Sequence, residues 1–293
     1  MTIQSMPTLK FTLPAVLALQ LFGLTGWGSS LPVPSPHHLV ACAPGYPGTT
    51  QQAQPTMDAF AAMVSAVAGW PQDRLTAEYQ QTESGGVERL AEPASTLGLV
   101  PLPFFLKHEE QLGFDPIAQV VQRNGSTSEI WSLAAPAGRV SAAGDLEGWE
   151  LAGIPAYAPA FVRGPVLGAW GRLPDSTRIT FSRRVLAALR RASAGEAIAV
   201  LLDSSQAAAL ASLPSAERLE VVATSPPLPA ALLVTVGGRV SSDDAARLLD
   251  GVLRVHTVDR FAEVLDTLRL VGFEELDSEA LQHARDAYRA AAR

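Results

Sequence analysis

The chain has 293 residues, of which 47% are hydrophobic, and this is enough apolar material to fill the core of one large domain or of two ordinary lobes. An intrinsically disordered chain is therefore excluded. The formal net charge is −7, and Lys and Arg occur singly or in pairs without forming a basic stripe. Nucleic acid is not expected as a partner.

Residues 1–30 have the pattern of a secretory signal peptide. Lys10 precedes an apolar stretch from Phe11 to about Leu24, and small residues follow. The apolar stretch is shorter than the ~20 residues that span a membrane, so we favour a cleaved signal over a membrane anchor. We therefore expect export to a periplasmic or other extracytoplasmic compartment. Residues 31–37 are rich in proline and predict an unstructured spacer.

Cys42 is the single cysteine, so the chain cannot form an internal disulfide. The segment Leu39-Val40-Ala41-Cys42 has a superficial likeness to the lipid-attachment site of bacterial lipoproteins. Its apolar pattern is more typical of a buried strand, because the proline-rich spacer separates it from the apolar part of the signal. We expect Cys42 to be a small core residue.

From residue 38 onward, short apolar runs alternate with turns and with segments of helical period, which is typical of an α/β fold with mostly parallel sheets. Two extended segments, 117–122 and 129–135, are separated by little helix and predict a crossing into a second lobe. The proline-rich residues 224–229 predict the return crossing. We therefore expect two lobes joined by two hinge crossings, with residues 38–137 and 230–293 in the first lobe and 138–229 in the second. A cleft between such lobes is a common place for a ligand.

Several segments resemble a known family. They are the strand and loop Ala43-Pro44-Gly45-Tyr46, the strand exit 99–104, the lead Asp145-Leu146-Glu147-Gly148 into the second lobe, and the return Ser225-Pro226-Pro227-Leu228-Pro229. Together they are similar to the phosphate-, phosphite- and phosphonate-binding components of ABC importers, which have the type 2 periplasmic binding-protein fold. The resemblance implies a protein that closes on a small, anionic ligand and delivers it to a membrane permease. We expect a monomer without a cofactor.

The resemblance also implies that hydroxyls and backbone N–H groups at helix N-termini hold the anion. It further implies that Asp203 meets a ligand amine or another hydrogen-bonding group. The hydroxyl-rich loop of the family corresponds here to residues 154–164, where Tyr157 and Arg163 are the remaining polar candidates. The predicted ligand-binding residues are Tyr46, Thr49, Thr50, Ser84, Gly85, Pro103, Phe104, Tyr157, Arg163 and Asp203. The alternatives are helix or turn caps for Thr49, Thr50, Ser84 and Asp203, and a core position for Phe104.

Catalytic motifs are scarce. The sequence has no His-x-x-x-His or Cys-x-x-Cys pair, no Gly-x-Ser-x-Gly turn and no Walker loop, so no catalytic or metal-binding residue is predicted. Two other functions stay open. One is an enzyme on the same fold, like the menaquinone-pathway dehydratases. The other is a degenerate binding protein that acts as a sensor or interaction module, which the loss of hydroxyls at residues 155–165 favours.

Overall fold

The computed structural model of the protein describes residues 36–293. The predicted signal peptide and residues 31–35 of the predicted spacer lie outside the described residues. His37, the last residue of that spacer, begins the first strand. Within residues 36–293, no helix has both the length and the apolar character that crossing a membrane requires.

Strands and helices alternate along the described chain. The strands are β1 (His37–Cys42), β2 (Leu75–Gln80), β3 (Ser95–Pro101), β4 (Phe114–Gln122), β5 (Ser128–Glu129), β6 (Ser132–Pro136), β7 (Glu150–Gly153), β8 (Arg178–Phe181), β9 (Ile198–Leu202), β10 (Leu219–Thr224), β11 (Leu228–Pro229), β12 (Ala231–Val236) and β13 (Leu270–Glu274). The helices are α1 (Thr50–Val67), α2 (Glu83–Ala91), α3 (Leu102–Leu112), α4 (Pro159–Phe161), α5 (Val185–Ser193), α6 (Ser204–Leu210), α7 (Ser242–Leu253), α8 (Ala262–Thr267) and α9 (Ser278–Ala292).

Each lobe is built on one sheet. The first sheet has the strand order β13-β4-β12-β3-β1-β2, and β12 and β13 run opposite to the other four strands. The second has the order β10-β6-β9-β7-β8, and β6 runs opposite to the rest. The predicted fold class, two α/β lobes with mostly parallel sheets, is confirmed.

The two crossings lie side by side. β5 and β11 form a separate antiparallel pair, in which Glu129 is opposite Leu228 and Ser128 opposite Pro229. The first crossing therefore lies at residues 128–131 and not near 137. The strand β6, which the sequence analysis assigned to the first lobe, pairs with β9 and β10 in the second sheet. An apolar run shows that a strand exists but does not show which sheet it joins, because burial is similar in both.

The core has three parts. Alternate residues of a strand face opposite sides of its sheet, so Leu39 packs with Phe60 of α1, whereas Val40 belongs to a different cluster. A second cluster packs α5 on the second sheet, with Leu189 against Val200 among its members. The third cluster, which contains Val40, is shared by the two lobes. It includes Phe104 and Phe105 of α3 together with Trp131, Phe161 and Val162 of the second lobe.

The C-terminal helix α9 contacts both lobes, although residues 230–293 were predicted to lie in the first. On one side, Gly164 of the helical turn Val162–Val166 lies so close to the Ala287 carbonyl that a Cβ atom would not fit. On the other side, the Nε of Arg285 donates to Glu109 of α3 at 2.8 Å, and its guanidinium lies 5.2 Å from the centre of the Phe105 ring.

Candidate functional site

A small cavity lies between the lobes, beside the two crossings. Its volume is about 40 Å³, which is space for one or two water molecules. The walls come from loops that follow strands of both sheets, where parallel α/β sheets bind ligands. The lining residues are Pro44, Tyr46, Pro101, Pro103, Glu129, Trp131, Ile154, Pro155, Tyr157 and Ala230.

The loop after β1 brings Tyr46 to the cavity. The backbone N–H groups of Ala43 and Gly45 donate to the carbonyl oxygens of Gln80 and Gln81, which fixes the loop against the neighbouring strand. Gly45 has a φ of +89°, and a Cβ atom there would lie 3.0 Å from side-chain atoms of Ile154 and Phe181 in the second lobe. Glycine is therefore required both for the backbone conformation and for the close approach of the lobes.

Tyr157 forms the opposite wall. Its ring makes an edge contact with Phe181, with the ring centres 6.1 Å apart. Its hydroxyl oxygen is buried, and no group within residues 36–293 hydrogen-bonds to it. Burial raises the pKa of Tyr157 well above its ordinary value, so the hydroxyl keeps its proton and can donate a hydrogen bond.

Two carboxylates lie at the other end of the site. One Glu129 oxygen accepts a hydrogen bond at 2.6 Å from the backbone N–H of Ser204 and another from the Ser204 hydroxyl. Asp203, which is 7% exposed, precedes Ser204 and caps α6 by accepting from the Gln206 N–H at 2.8 Å. Burial raises the pKa of both acids, and Asp203 adds to the rise at Glu129 by charge repulsion.

Tyr46 is close enough to these acids to be affected by them. Its pKa is raised first by burial and then by the negative charges of Asp203 and Glu129. The tyrosine nevertheless keeps 37% of its surface exposed. A neutral phenol beside two partly desolvated acids forms a site that attracts a hydrogen-bond donor or a positive charge.

Lys107 of α3 connects the lobes next to Tyr157. Its ammonium nitrogen lies 2.6 Å from Glu83 of the first lobe and donates at 2.6 Å to the backbone carbonyl of Tyr157 in the second. His108 contacts the same Glu83 oxygen at 2.8 Å. The hydrogen bond from Lys107 to the Tyr157 carbonyl links the two lobes.

The structure places some of the predicted ligand-binding residues at the cavity and others away from it. Tyr46, Pro103 and Tyr157 line the cavity, and Asp203 lies beside it. Contact of these four residues with a ligand stays a prediction.

Three predicted residues make local contacts in caps or with the backbone, and their contact with a ligand stays a prediction. Thr49 caps α1 by accepting from the Gln52 N–H at 3.2 Å, and the Thr50 hydroxyl donates to the Tyr79 carbonyl at 2.8 Å. The Gly85 N–H donates to Thr82, which is the N-cap of α2, at 3.1 Å. Ser84 is exposed in the first turn of that helix.

Phe104 and Arg163 do not line the cavity. Phe104 is fully buried in the cluster shared by the lobes, with its ring 4.7 Å from that of His108. The Arg163 guanidinium donates to the backbone carbonyls of Leu173, Pro174 and Thr177, and so supports a loop within the second lobe. The sequence, with an arginine beside a glycine in a loop, did not reveal that the backbone would use the donors of the arginine.

Sequence reasoning missed Glu129 and Lys107 as site residues. Glu129 was assigned to an apolar strand. A charged residue at the predicted crossing was the feature of the sequence that could have identified it as a site residue. Lys107 follows the segment 99–104, which was interpreted as the exit of a strand, and it lies in the helix α3 that begins after Pro101. Pro103 sits in its first turn, where proline is tolerated because its missing N–H would have no intrahelical partner.

Residues 36–293 contain no group of three His, Cys, Asp or Glu side chains arranged to hold a metal ion. Cys42 is buried in β1 and its sulfur contacts the Thr82 carbonyl. Burial raises the pKa of its thiol, so it is a core residue and not a reactive one.

Comparison with known proteins agrees with the two-lobed fold. A family model for the periplasmic substrate-binding protein of phosphonate ABC transporters matches residues 49–281. No curated protein sequence matches the chain.

Solved structures of similar fold share 12–15% of their residues with the chain. XAC2383 from Xanthomonas citri bound to chloride has a TM-score of 0.68, with coverage of 87% of this chain and 98% of its own. A binding-protein component of an ABC phosphonate transporter from Pseudomonas aeruginosa has a TM-score of 0.60, with coverage of 88% and 87%. PhnD1 from Prochlorococcus marinus in complex with methylphosphonate has a TM-score of 0.57, with coverage of 87% and 98%.

Proposed function

Because the chain belongs to the family of periplasmic phosphonate-binding proteins of ABC transporters, we propose that it captures a small, anionic solute between its lobes and delivers it to a membrane permease. The observation that carries the proposal is the interlobe cavity, whose walls include Tyr46 from the first lobe and Tyr157 from the second. A solute bound there contacts both lobes at once. Such a solute stabilises the closed arrangement by its differential affinity for it.

The size of the cavity indicates how the solute enters. About 40 Å³ does not accommodate a phosphonate, so the lobes must separate before the solute reaches Tyr157. The adjacent strands β5 and β11 are the natural hinge, since they are the two crossings between the sheets. Opening breaks the hydrogen bond between Lys107 and the Tyr157 carbonyl.

The polar groups around the cavity favour a solute with two different ends. Glu129 and Asp203 oppose a bare dianion, because each carries a buried or partly buried carboxyl group. Both suit an ammonium group, which is the role that the family resemblance implies for Asp203. A small phosphonate that also carries an amine therefore fits the site better than phosphate.

The cellular setting is part of the same proposal. Family membership supports a periplasmic location reached through the signal peptide of residues 1–30, and a monomer is the simplest form that presents both lobes to a permease. The role is binding and not catalysis. Arg163 and His108 are already engaged by other protein groups.

A thermal-shift series tests the proposal with three matched probes. Methylphosphonate carries only the anion, methylamine only the cation, and aminomethylphosphonate both. A ligand at about 100 times its Kd raises the melting temperature by about 5–10 °C in a protein of this size. We expect the largest shift with aminomethylphosphonate. Absence of a shift with all three probes, each up to millimolar concentration, would contradict the proposed ligand class.

A further inference from the structure

The walls of the interlobe cavity are mainly apolar and aromatic. Three of the ten lining residues are the aromatic residues Tyr46, Trp131 and Tyr157, and Glu129 is the charged one. The other six have side chains without a polar atom: Pro44, Pro101, Pro103, Ile154, Pro155 and Ala230. A charged group in such a place meets few side-chain hydrogen-bond partners, so the chemistry of its own surface decides how well it is stabilised.

The charges next to the cavity differ between its two ends. At the Tyr157 end, the Lys107 ammonium lies 5.9 Å from the centre of the Tyr157 ring and donates to the carbonyl of the same residue. At the other end, Glu129 is on the wall, and it binds Ser204, the residue next to Asp203. The Glu129 end is therefore better suited to a positive group than the Tyr157 end.

The two acids at that end have part of their hydrogen-bonding capacity in use. One oxygen of Glu129 accepts from both the backbone N–H and the hydroxyl of Ser204. Asp203 accepts from the Gln206 N–H at 2.8 Å. A primary ammonium group has three N–H donors, and each needs an acceptor once the group has left water. An ammonium group that carries methyl groups in place of these hydrogens keeps the positive charge and needs no acceptor.

Trp131 supplies an aromatic ring close to Glu129, which precedes it by two residues in the first crossing. Its backbone is fixed to the return crossing. The Trp131 N–H donates to the Ser225 hydroxyl at 2.9 Å, and the Trp131 carbonyl accepts from the Ser225 N–H at 2.8 Å. The ring itself packs edge-on against Phe161, with the ring centres 6.1 Å apart. Both crossings and the second lobe therefore hold this ring in place.

Tyr46 brings a second ring to the same cavity from the first lobe. It keeps 37% of its surface exposed, and it belongs to none of the three core clusters of residues 36–293. Its ring is therefore available to a group that lies between the lobes. The negative face of an aromatic ring attracts a cation, and cages of aromatic side chains bind methylated ammonium groups in this way.

We propose that the cationic end of the solute is a methylated ammonium group, held by the rings of Tyr46 and Trp131 with Glu129 and Asp203 as its counter-charges. The inference rests on the proposed function and narrows its substrate class to a small phosphonate with a quaternary amine. The proline-rich walls favour methyl groups over N–H groups, because they remove apolar surface from water and offer no side-chain acceptor. The bulkier group enters, like the rest of the solute, when the lobes separate.

Calorimetric titration of two matched probes tests this inference. One is aminomethylphosphonate, and the other is its N,N,N-trimethyl derivative. At about pH 7 both carry one positive charge on nitrogen, since an alkylamine is protonated there. The titrations compare the wild type with two variants at one position. Tyr46→Phe keeps the ring and Tyr46→Leu removes it, and both should fold like the wild type because Tyr46 lies outside the core clusters.

We expect the wild type to bind the trimethyl derivative about tenfold more tightly than aminomethylphosphonate. Tyr46→Leu should weaken binding of the trimethyl derivative about tenfold and that of aminomethylphosphonate less than about threefold, whereas Tyr46→Phe should stay within about threefold of the wild type for both. Equal or tighter wild-type binding of aminomethylphosphonate would overturn this inference alone, as would an equal loss for both probes in Tyr46→Leu. Failure of the wild type to bind either probe would instead overturn the proposed function, and this inference with it.

Discussion

Replacing Tyr157 with phenylalanine should change stability and binding in opposite directions. The Tyr157 hydroxyl is buried and has no hydrogen-bond partner in residues 36–293. A buried unpaired polar group costs about 1–3 kcal/mol, so its removal should stabilise the free protein by up to that amount. With about 2–4 °C per kcal/mol for a domain of this size, the melting temperature should rise by a few degrees.

The same substitution should weaken solute binding. A hydrogen bond to a charged group contributes about 1.5–3 kcal/mol, which corresponds to about 10- to 100-fold in Kd. Denaturant unfolding without solute and calorimetric titration with aminomethylphosphonate measure the two effects separately. Tyr79→Phe is the control, since its hydroxyl already lies 3.4 Å from the Ala43 carbonyl; it should lose stability and retain affinity. A Tyr157→Phe protein that is less stable than the wild type and binds equally well would refute this reasoning.

Three further substitutions test other parts of the site. Burial raises the pKa of Glu129, so its contribution to stability is largest below its unfolded pKa, near 4.3, and is lost as the pH rises through the folded pKa. The free energy of unfolding of Glu129→Gln, measured in urea, should therefore increase relative to that of the wild type from pH 4 to 8, and a constant difference would contradict this. Lys107→Met removes a bridge between the lobes, so it should lower the free energy of unfolding by about 1 kcal/mol and enlarge the radius of gyration measured by X-ray scattering. An unchanged radius would show that this bridge does not hold the lobes together. Gly164→Ala places a Cβ against the Ala287 carbonyl and should cost about 1–3 kcal/mol by displacing α9, so unaltered thermal unfolding would contradict the packing of that helix.

Much of the fold could be predicted because its units are local. The apolar run 39–43 and the helical period of 57–68 correspond to β1 and to most of α1, and the runs at 96–100 and 197–202 correspond to β3 and β9. In each case a short buried strand is followed by a turn and an amphipathic segment, and the local spacing of apolar residues is enough to identify both.

Other parts depended on contacts between distant residues. β3 ends at Pro101 and is followed by Leu102 and Pro103, which indicated a strand exit, yet the chain turns there into α3. Its apolar side is buried against both lobes, and tertiary packing outweighed the local signal. The assignment of β6 to the second sheet and the contact of α9 with Gly164 likewise follow from long-range pairing.

The candidate site was predicted where its residues follow strands, and not where the hinge supplies them. Tyr46, Tyr157 and Asp203 come after β1, β7 and β9, at the ends of strands where parallel sheets bind ligands. The family resemblance implied the roles of Tyr157 and Asp203, and contact of all three residues with a ligand stays a prediction. Glu129 lies within a crossing strand, and its partner Ser204 is 75 residues away in sequence. No local pattern links two such positions.

The central claim is that a small solute with an anionic and a cationic end binds between the lobes, and a crystal structure of the protein grown with aminomethylphosphonate tests it most directly. We expect the solute between the two lobes, with its amine facing Glu129 and Asp203 and with the Tyr157 hydroxyl within hydrogen-bond distance of it. A solute bound on the outer surface of either lobe, or lobes closed on the cavity with no solute between Tyr46 and Tyr157, would contradict the claim.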